Sequence, residues 1–234
     1  MASLTTNSGW HPTWEENVYG QGRQLNRYPY HAVVGFIFSH FGAVADRSTV
    51  RILELGCGAG NNLWFAAREG FSVAGIDGSA TAVSYAQKRF AAEALTGDLR
   101  VGDFSTLPWG AGEFDLVLDR GSLSQATRRD VVAAALGEAH RVLKPGGRIL
   151  SLIYSWEHPG RAYGRPLPDG TYTDFSGGYF AGLGTTHFLT RDDITRLYGP
   201  YFNLTTVLHT LEEDRRAASQ AANAFWKIEG VRVP

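Results

Sequence analysis

The sequence predicts an α/β fold built on a doubly wound, mostly parallel sheet. Short apolar runs alternate with stretches of helical periodicity across residues 50–153, the pattern of parallel strands joined by crossover helices. The links between them are brief. The first run, Ile52-Leu53-Glu54-Leu55, breaks into the glycine-rich turn Gly56-Cys57-Gly58-Ala59-Gly60. A turn of that kind at the carboxyl end of a parallel strand is where open α/β sheets bind ligands.

Size and charge bound the reading. A chain of 234 residues fits one α/β domain with elaborations and buries its core without staples. The net charge is -1 with both signs interspersed, which argues against a nucleic-acid partner. The single cysteine, Cys57, excludes an internal disulfide and a multi-thiolate metal site; inside the turn it reads as a small buried filler. No run approaches the ~20 apolar residues of a membrane span, and no basic stretch precedes an apolar one at the start. The expectation is a cytoplasmic protein with no membrane partner.

Residues 1–9 read as a disordered tail. Trp10 to Phe41 is dense in aromatics, and Val33, Val34, Phe36, Ile37, Phe38 and Phe41 give one helix packed on the core. Tyr19-Gly20-Gln21-Gly22 and Arg27-Tyr28-Pro29-Tyr30 shape either a lid or a packing extension. A lid of this composition excludes water and strengthens polar contacts beneath it. After the glycine turn, Asn61 to Glu69 is helical and stops at Gly70. Residues 71–76 form a strand ending in Asp77. Ser79 caps a helix to about Ala94, with Val83, Ala86 and Phe90 as its apolar stripe. Asp77 lies 23 positions after Glu54, where an acidic residue accepts from a ribose diol or merely caps the next helix.

Leu99 to Gly102 is the third strand, followed by Asp103-Phe104 and a turn through Trp109. Phe114 to Asp119 is the fourth, followed by Arg120-Gly121-Ser122-Leu123. Arg128 to Leu143 is an amphipathic helix stopped by Lys144-Pro145-Gly146-Gly147, and Arg148 to Ile153 is the fifth strand. Tyr154 to His187 carries Trp156, Tyr163, Tyr172, Phe175, Tyr179 and Phe180 without periodicity. Its aromatic content argues against disorder, so it reads as an insertion that builds a substrate pocket or a dimer contact. Thr190-Arg191-Asp192-Asp193 resembles a capping box opening a helix that ends at Gly199-Pro200. Residues 203–209 and 224–231 read as strands, with 212–216 as their solvated link. The expected units are an N-terminal extension (1–46), a ligand-binding core (47–153), the insertion (154–188) and a C-terminal helix and strands (189–234) completing the same domain.

The turn fails the dinucleotide fingerprint Gly-x-Gly-x-x-Gly, because its third glycine would fall on Asn61 or Leu63, and it lacks the Lys-Ser/Thr of a P-loop. Its pattern is Glu-x-Gly-x-Gly-x-Gly. Followed in order by Asp77, Asp103, Asp119 and Arg141-Val142-Leu143-Lys144-Pro145-Gly146-Gly147-Arg148-Ile149-Leu150, it resembles the class I, Rossmann-like S-adenosylmethionine-dependent methyltransferases. The resemblance covers about residues 50–153 motif by motif. It implies a seven-stranded sheet with a C-terminal antiparallel hairpin, an N-terminal helical extension and the aromatic insertion after the fifth strand. It implies S-adenosyl-L-methionine as cofactor, with Glu54, Gly56, Cys57, Gly58 and Gly60 against its methionine half. Asp77, Gly78 and Ser79 then hold the ribose. Asp103 takes the adenine amino group, with Phe104 beside it and Leu107 or Trp109 adding to the pocket. Arg23 meets the cofactor carboxylate, and Asp119 lies near the transferable methyl.

The implied activity is methyl transfer to a small-molecule acceptor through an N or O atom. The cofactor carries the leaving group, so the protein supplies approach geometry and proton removal and needs no metal. Small-molecule O-methyltransferases of this family often place a histidine shortly after the fourth strand; here that stretch is Ser122-Leu123-Ser124-Gln125. The candidate bases are Asp119, His31 and His187, with His158 behind them. Candidate substrate contacts are Arg27, Tyr30, Arg120, Trp156 and Tyr179, the arginines because guanidinium matches a carboxylate bidentately. The other readings are a regulatory cofactor-binding protein, a protein methyltransferase and, against the glycine spacing, an NAD-linked oxidoreductase. A homodimer is allowed.

Overall fold

The apolar runs over 52–55, 73–76, 116–119 and 149–153 become strands covered on both faces, which is why they read as near-continuous hydrophobic segments, whereas Arg100 and Val101 are exposed at the sheet edge. The computed structural model describes residues 9–214 and 220–234; the expected tail over residues 1–8 and Arg215-Arg216 of the expected link lie outside them. The chain opens with two short helical turns, Trp14–Val18 and Tyr19–Gln21, and then helix α1 (His31–Phe41). The core follows as β1 (Arg51–Leu55), α2 (Asn61–Arg68), β2 (Ser72–Asp77), α3 (Ala80–Ala92), β3 (Asp98–Val101), β4 (Phe114–Arg120), α4 (Arg129–Val142) and β5 (Leu143–Tyr154). Three short strands come next, β6 (Arg165–Pro166), β7 (Thr171–Thr173) and β8 (Thr186–His187). Then come α5 (Arg191–Tyr198), β9 (Phe202–Asp214) and β10 (Gln220–Arg232).

Seven strands form the main sheet in the order β3-β2-β1-β4-β5-β10-β9. The first five are parallel, and β10 runs antiparallel to both β5 and β9. This is the doubly wound sheet with a C-terminal antiparallel hairpin. The order reverses between β1 and β4, so the loops leaving their carboxyl ends part and open a crevice there.

Two cores sandwich the sheet. Alternate residues of β1 serve each: Ile52 packs with α1, α2 and α3 through Ile37, Leu63 and Val83, whereas Leu53 and Leu55 pack with α4 and α5 through Leu136 and Tyr198. A third cluster of Val18, Tyr172, Phe175, Phe180, Leu183 and Phe188 joins the N-terminal turns to the aromatic insertion. Helix α3 starts as expected, with Ser79 Oγ accepting from Ala82 N at 3.0 Å. Helix α5 carries the reciprocal capping box of Thr190 and Asp193.

Three elements differ from the sequence expectation. β5 begins at Leu143, because Lys144–Gly147 forms a bulge within the strand, marked by the register jump from Phe114↔Leu143 to Leu116↔Arg148. The hairpin strands are longer than expected, so Glu212 and Glu213 lie in β9 and not in a link. The insertion is organised, with β6, β7 and β8 forming a small antiparallel sheet of its own. Among the described residues no helix is long and apolar enough to cross a membrane.

Candidate functional site

The crevice is built from the backbone of the first βα turn. Gly56 and Gly58 both adopt left-handed conformations, at φ 61° and 50°, where an L side chain is strained. Space forbids a side chain as well. A Cβ on Gly56 would collide with Ser122, and one on Gly58 with the Tyr19 hydroxyl. The bare turn lets Ser122 and Tyr19 approach its backbone closely, and two buried carboxylates, Glu54 and Asp77, flank it at the tips of β1 and β2.

Asp77 ends β2. Its Oδ2 accepts from Gly58 N at 2.7 Å and its Oδ1 from Ser79 N at 2.8 Å. Burial pushes its carboxyl up to about 6, opposed by those two amides. Each oxygen thus accepts one bond and retains further acceptor capacity. Glu54 sits in β1 with Oε1 accepting from Asn62 Nδ2 at 2.6 Å. Its Oε2 is buried and has no hydrogen-bond partner among the described residues. Burial raises the Glu54 carboxyl to about 8; the Asn62 bond opposes the rise, and Asp119 and Asp77 add to it. An orphaned buried carboxylate oxygen costs free energy unless a ligand supplies a donor.

The N-terminal extension roofs this pair. The Trp10 ring lies against the bare α-carbon of Gly78. The Glu15 carboxylate accepts from Ser79 Oγ, Thr81 N and Thr81 Oγ1 and ties the roof to the start of α3. Tyr30 N donates to Asn62 Oδ1 at 3.0 Å, and Asn61 Nδ2 donates to the Tyr28 carbonyl at 2.9 Å. Thr13 Oγ1 donates to the Gly182 carbonyl at 2.8 Å and so reaches the insertion. The cavity beneath this roof spans about 910 Å³, its open mouth included. Its floor is Glu54, Gly56, Cys57, Gly58, Asp77 and Gly78. Its walls are Trp10, Trp14, Tyr19, Tyr30, Phe104, Arg120, Gln125, Tyr154 and Tyr179. The floor suits a ligand that offers hydroxyl or ammonium hydrogens to carboxylates at close backbone approach; the walls suit flat apolar groups.

Several sequence candidates lie elsewhere. Asp103 is outside the cavity lining, because its Oδ2 accepts from Gly9 N and its Oδ1 from Ser105 N and Oγ at 2.8 and 2.7 Å. Leu107 and Trp109 belong to the α4 core, with Trp109 Nε1 bonded to Asp98 at 2.8 Å. Gly60 faces Ala86 of α3 and serves helix packing. Ser79 is fully buried as a helix cap. Asp119 points to the α4–α5 face of the sheet, where Ser122 Oγ, Leu123 N and Ser151 Oγ all donate to it. Ser151 Oγ in turn meets the Tyr198 hydroxyl. With its oxygens so engaged, Asp119 is a structural anchor.

The histidines also fall away from the cavity floor. His187 is fully buried in β8 with Nε2 on the Ala126 carbonyl at 3.0 Å. His158 accepts from Gly160 N at 2.9 Å within the aromatic cluster. Burial lowers both imidazoles to about 4. His31 is exposed at the start of α1, on a neighbouring cavity. Arg23 is exposed and donates to the Asn17 carbonyl, and Arg27 is exposed. Trp156 is 40% exposed beneath the Arg161 guanidinium. Tyr30, Arg120 and Tyr179 do line the cavity. Sequence reasoning did not single out Asn62, Gln125 or Tyr154. The sign of Trp10 was the aromatic density of residues 10–41, and Tyr19 was marked as well by the lid reading of Tyr19-Gly20-Gln21-Gly22.

Comparison with known proteins follows the same lines. Residues 52–147 match the family model of a methyltransferase domain. A ribosomal RNA small subunit methyltransferase C from Alcanivorax borkumensis is 34% identical over 112 residues, which cover 47% of this chain and 33% of that protein. A putative methyltransferase of Geobacillus sp. strain WCH70 is 28% identical over 144 residues, 61% of this chain and 58% of that one. The chain thus spans 33% to 58% of the length of these curated relatives. Among solved structures, the 1,6-didemethyltoxoflavin-N1-methyltransferase of Burkholderia thailandensis, with its substrate and S-adenosylhomocysteine bound, shares the fold. The TM-score is 0.67 at 16% identity, over 92% of this chain and 84% of that one. The strand order and the match over residues 52–147 make this chain similar to the class I S-adenosylmethionine-dependent methyltransferases.

Proposed function

We propose that the protein transfers the methyl group of S-adenosylmethionine to a small-molecule acceptor through an N or O atom. One observation carries the reading: two buried carboxylates, Glu54 and Asp77, face one cavity across the bare Gly56–Gly58 turn, under an aromatic roof. S-adenosylmethionine supplies an electrophilic methyl on a good leaving group. The free lone pairs of Asp77 take the ribose hydroxyls. The orphaned Glu54 Oε2 takes the ammonium group. The nucleoside lies beside Gly78 and the Trp10 ring packed on it, with Phe104 as its apolar neighbour.

Aromatic walls from the N-terminal extension and the insertion exclude water and fix the approach of the acceptor. No histidine lines the floor or walls among the described residues. Burial raises the Tyr154 phenol above its ordinary value, so it is no base at neutral pH. The reading therefore favours an acceptor that arrives with a lone pair already free, such as an unprotonated amine, a heteroaromatic nitrogen or a carboxylate. The roofed cavity and the net charge of -1 favour a small acceptor over an RNA such as the one named for the Alcanivorax relative.

The test is calorimetric titration with S-adenosylhomocysteine, followed by S-adenosylmethionine turnover on amine, heteroaromatic and carboxylate panels. Binding and product release with a small molecule support the reading. Absence of binding removes it, and transfer confined to RNA or protein replaces the acceptor class.

A further inference from the structure

A second cavity adjoins the first. It holds about 620 Å³, its mouth included, and shares Tyr30, Arg120 and Tyr154 with the first. Leu152, Ile153, Ala32 and Phe225 make much of its lining apolar. It contains neither the glycine turn nor Glu54 nor Asp77.

Arg120 stands at the junction. It ends β4, half-buried, with its guanidinium carbon 3.8 Å from the centroid of the Tyr30 ring. Its backbone pairs with Leu152 in β5, but its guanidinium makes no hydrogen bond and no ion pair to any described residue, and it acts on the Glu54 carboxyl only through its charge. Arg141, by contrast, is held by Glu138 and by the carbonyls of Leu107 and Trp109. The stack on Tyr30 offsets part of the cost of partial burial but uses only the face of the guanidinium. Its N–H edges stay free, and they match a carboxylate in a planar, bidentate geometry. The acid on the second cavity, Glu212, accepts from Asn223 Nδ2 at 3.1 Å.

We propose that the second cavity holds the body of the methyl acceptor, and that the acceptor is a small apolar carboxylate anchored on Arg120. This rests on the first cavity being the cofactor site. The apolar body lies on Leu152, Ala32 and Phe225, the carboxylate meets the guanidinium at the junction, and the acceptor reaches the glycine turn past Tyr30 and Tyr154. The carboxylate of the cofactor is the competing source of the same chemistry. It belongs to the first cavity, where the amide side chains of Gln24 and Asn26 offer donors.

The experiment uses the full chain with S-adenosylhomocysteine, probed by calorimetry with 1-naphthoate and octanoate against their primary amides. The expected result is that the acids bind at least tenfold more tightly than the amides. Arg120→Met abolishes that preference, Arg120→Lys keeps part of it, and both variants still bind S-adenosylhomocysteine. Three results overturn the proposal: neither acid binds, the preference survives in Arg120→Met, or Arg120→Met weakens S-adenosylhomocysteine tenfold while acid preference persists. That last result gives the arginine to the cofactor carboxylate. Absence of S-adenosylhomocysteine binding to the wild-type protein is a separate failure, which removes the cofactor reading and this proposal with it.

Discussion

Asp77 and Asp103 follow neighbouring parallel strands, β2 and β3, and both open onto turns. Asp77 holds the glycine turn in place, lines the cavity and keeps further acceptor capacity on each oxygen. Asp103 spends its carboxylate on Gly9 and Ser105 and lies outside the cavity lining. The same residue type at equivalent topological places thus has two different jobs. Position in a motif fixes where a carboxylate sits; the partners it already has decide what it offers a ligand.

Substitutions at the two tips sharpen that contrast. Asp77→Ala is expected to have the largest effect, a loss of about 100-fold or more in S-adenosylhomocysteine affinity, since hydrogen bonds to a buried charged group are worth roughly 1.5–3 kcal/mol each. Calorimetry reads it directly. Glu54→Gln comes next, with about a tenfold loss. Because burial holds the Glu54 carboxyl near 8, pairing with the ligand ammonium releases a proton at neutral pH. The binding enthalpy should therefore vary with the ionisation heat of the buffer in the wild type, and less so in Glu54→Gln.

Stability should follow the same group. Between about 4.5, its ordinary value, and about 8, the folded state holds a proton on Glu54 that the unfolded state has lost. The contribution is full below the lower value and declines as pH rises toward the upper one. The apo protein should lose on the order of 5 °C in melting temperature from pH 5 to 8, and Glu54→Gln should flatten part of that slope. Asp77, held near 6, adds to the fall at its acidic end. Differential scanning calorimetry across that range checks it. Asp103→Ala is expected to change S-adenosylhomocysteine affinity less than threefold, about 0.6 kcal/mol. An effect equal to that of Asp77→Ala would break the contrast. Arg23→Ala, at an exposed side chain outside the cavity, should leave affinity unchanged.

Much of the fold was legible because buried parallel strands leave an unmistakable apolar run, and because Ser79, Thr190 and Gly70 mark helix ends by local chemistry. The seven strands and the hairpin follow from those signals and the family resemblance. β6, β7 and β8 are two or three residues long, too short to show a period. The site was half legible. Glu54, the glycines and Asp77 are fixed by one local turn. The partner of Asp103 is 94 residues away at Gly9, and that pairing leaves no trace in the sequence near either residue. Asp119 and His187 lie outside the cavity lining for a similar reason. Ser151, Tyr198 and the Ala126 carbonyl, which satisfy them, come from elements brought close only by the fold.

The central claim is that Asp77 grips a ribose diol inside the cavity. The most direct measurement titrates S-adenosylhomocysteine and its 2′-deoxy analogue into wild type and Asp77→Ala. The account predicts that wild type binds the diol at least about tenfold, roughly 1.4 kcal/mol, more tightly than the deoxy form, and that Asp77→Ala binds both equally and weakly. Undiminished discrimination in Asp77→Ala would contradict it.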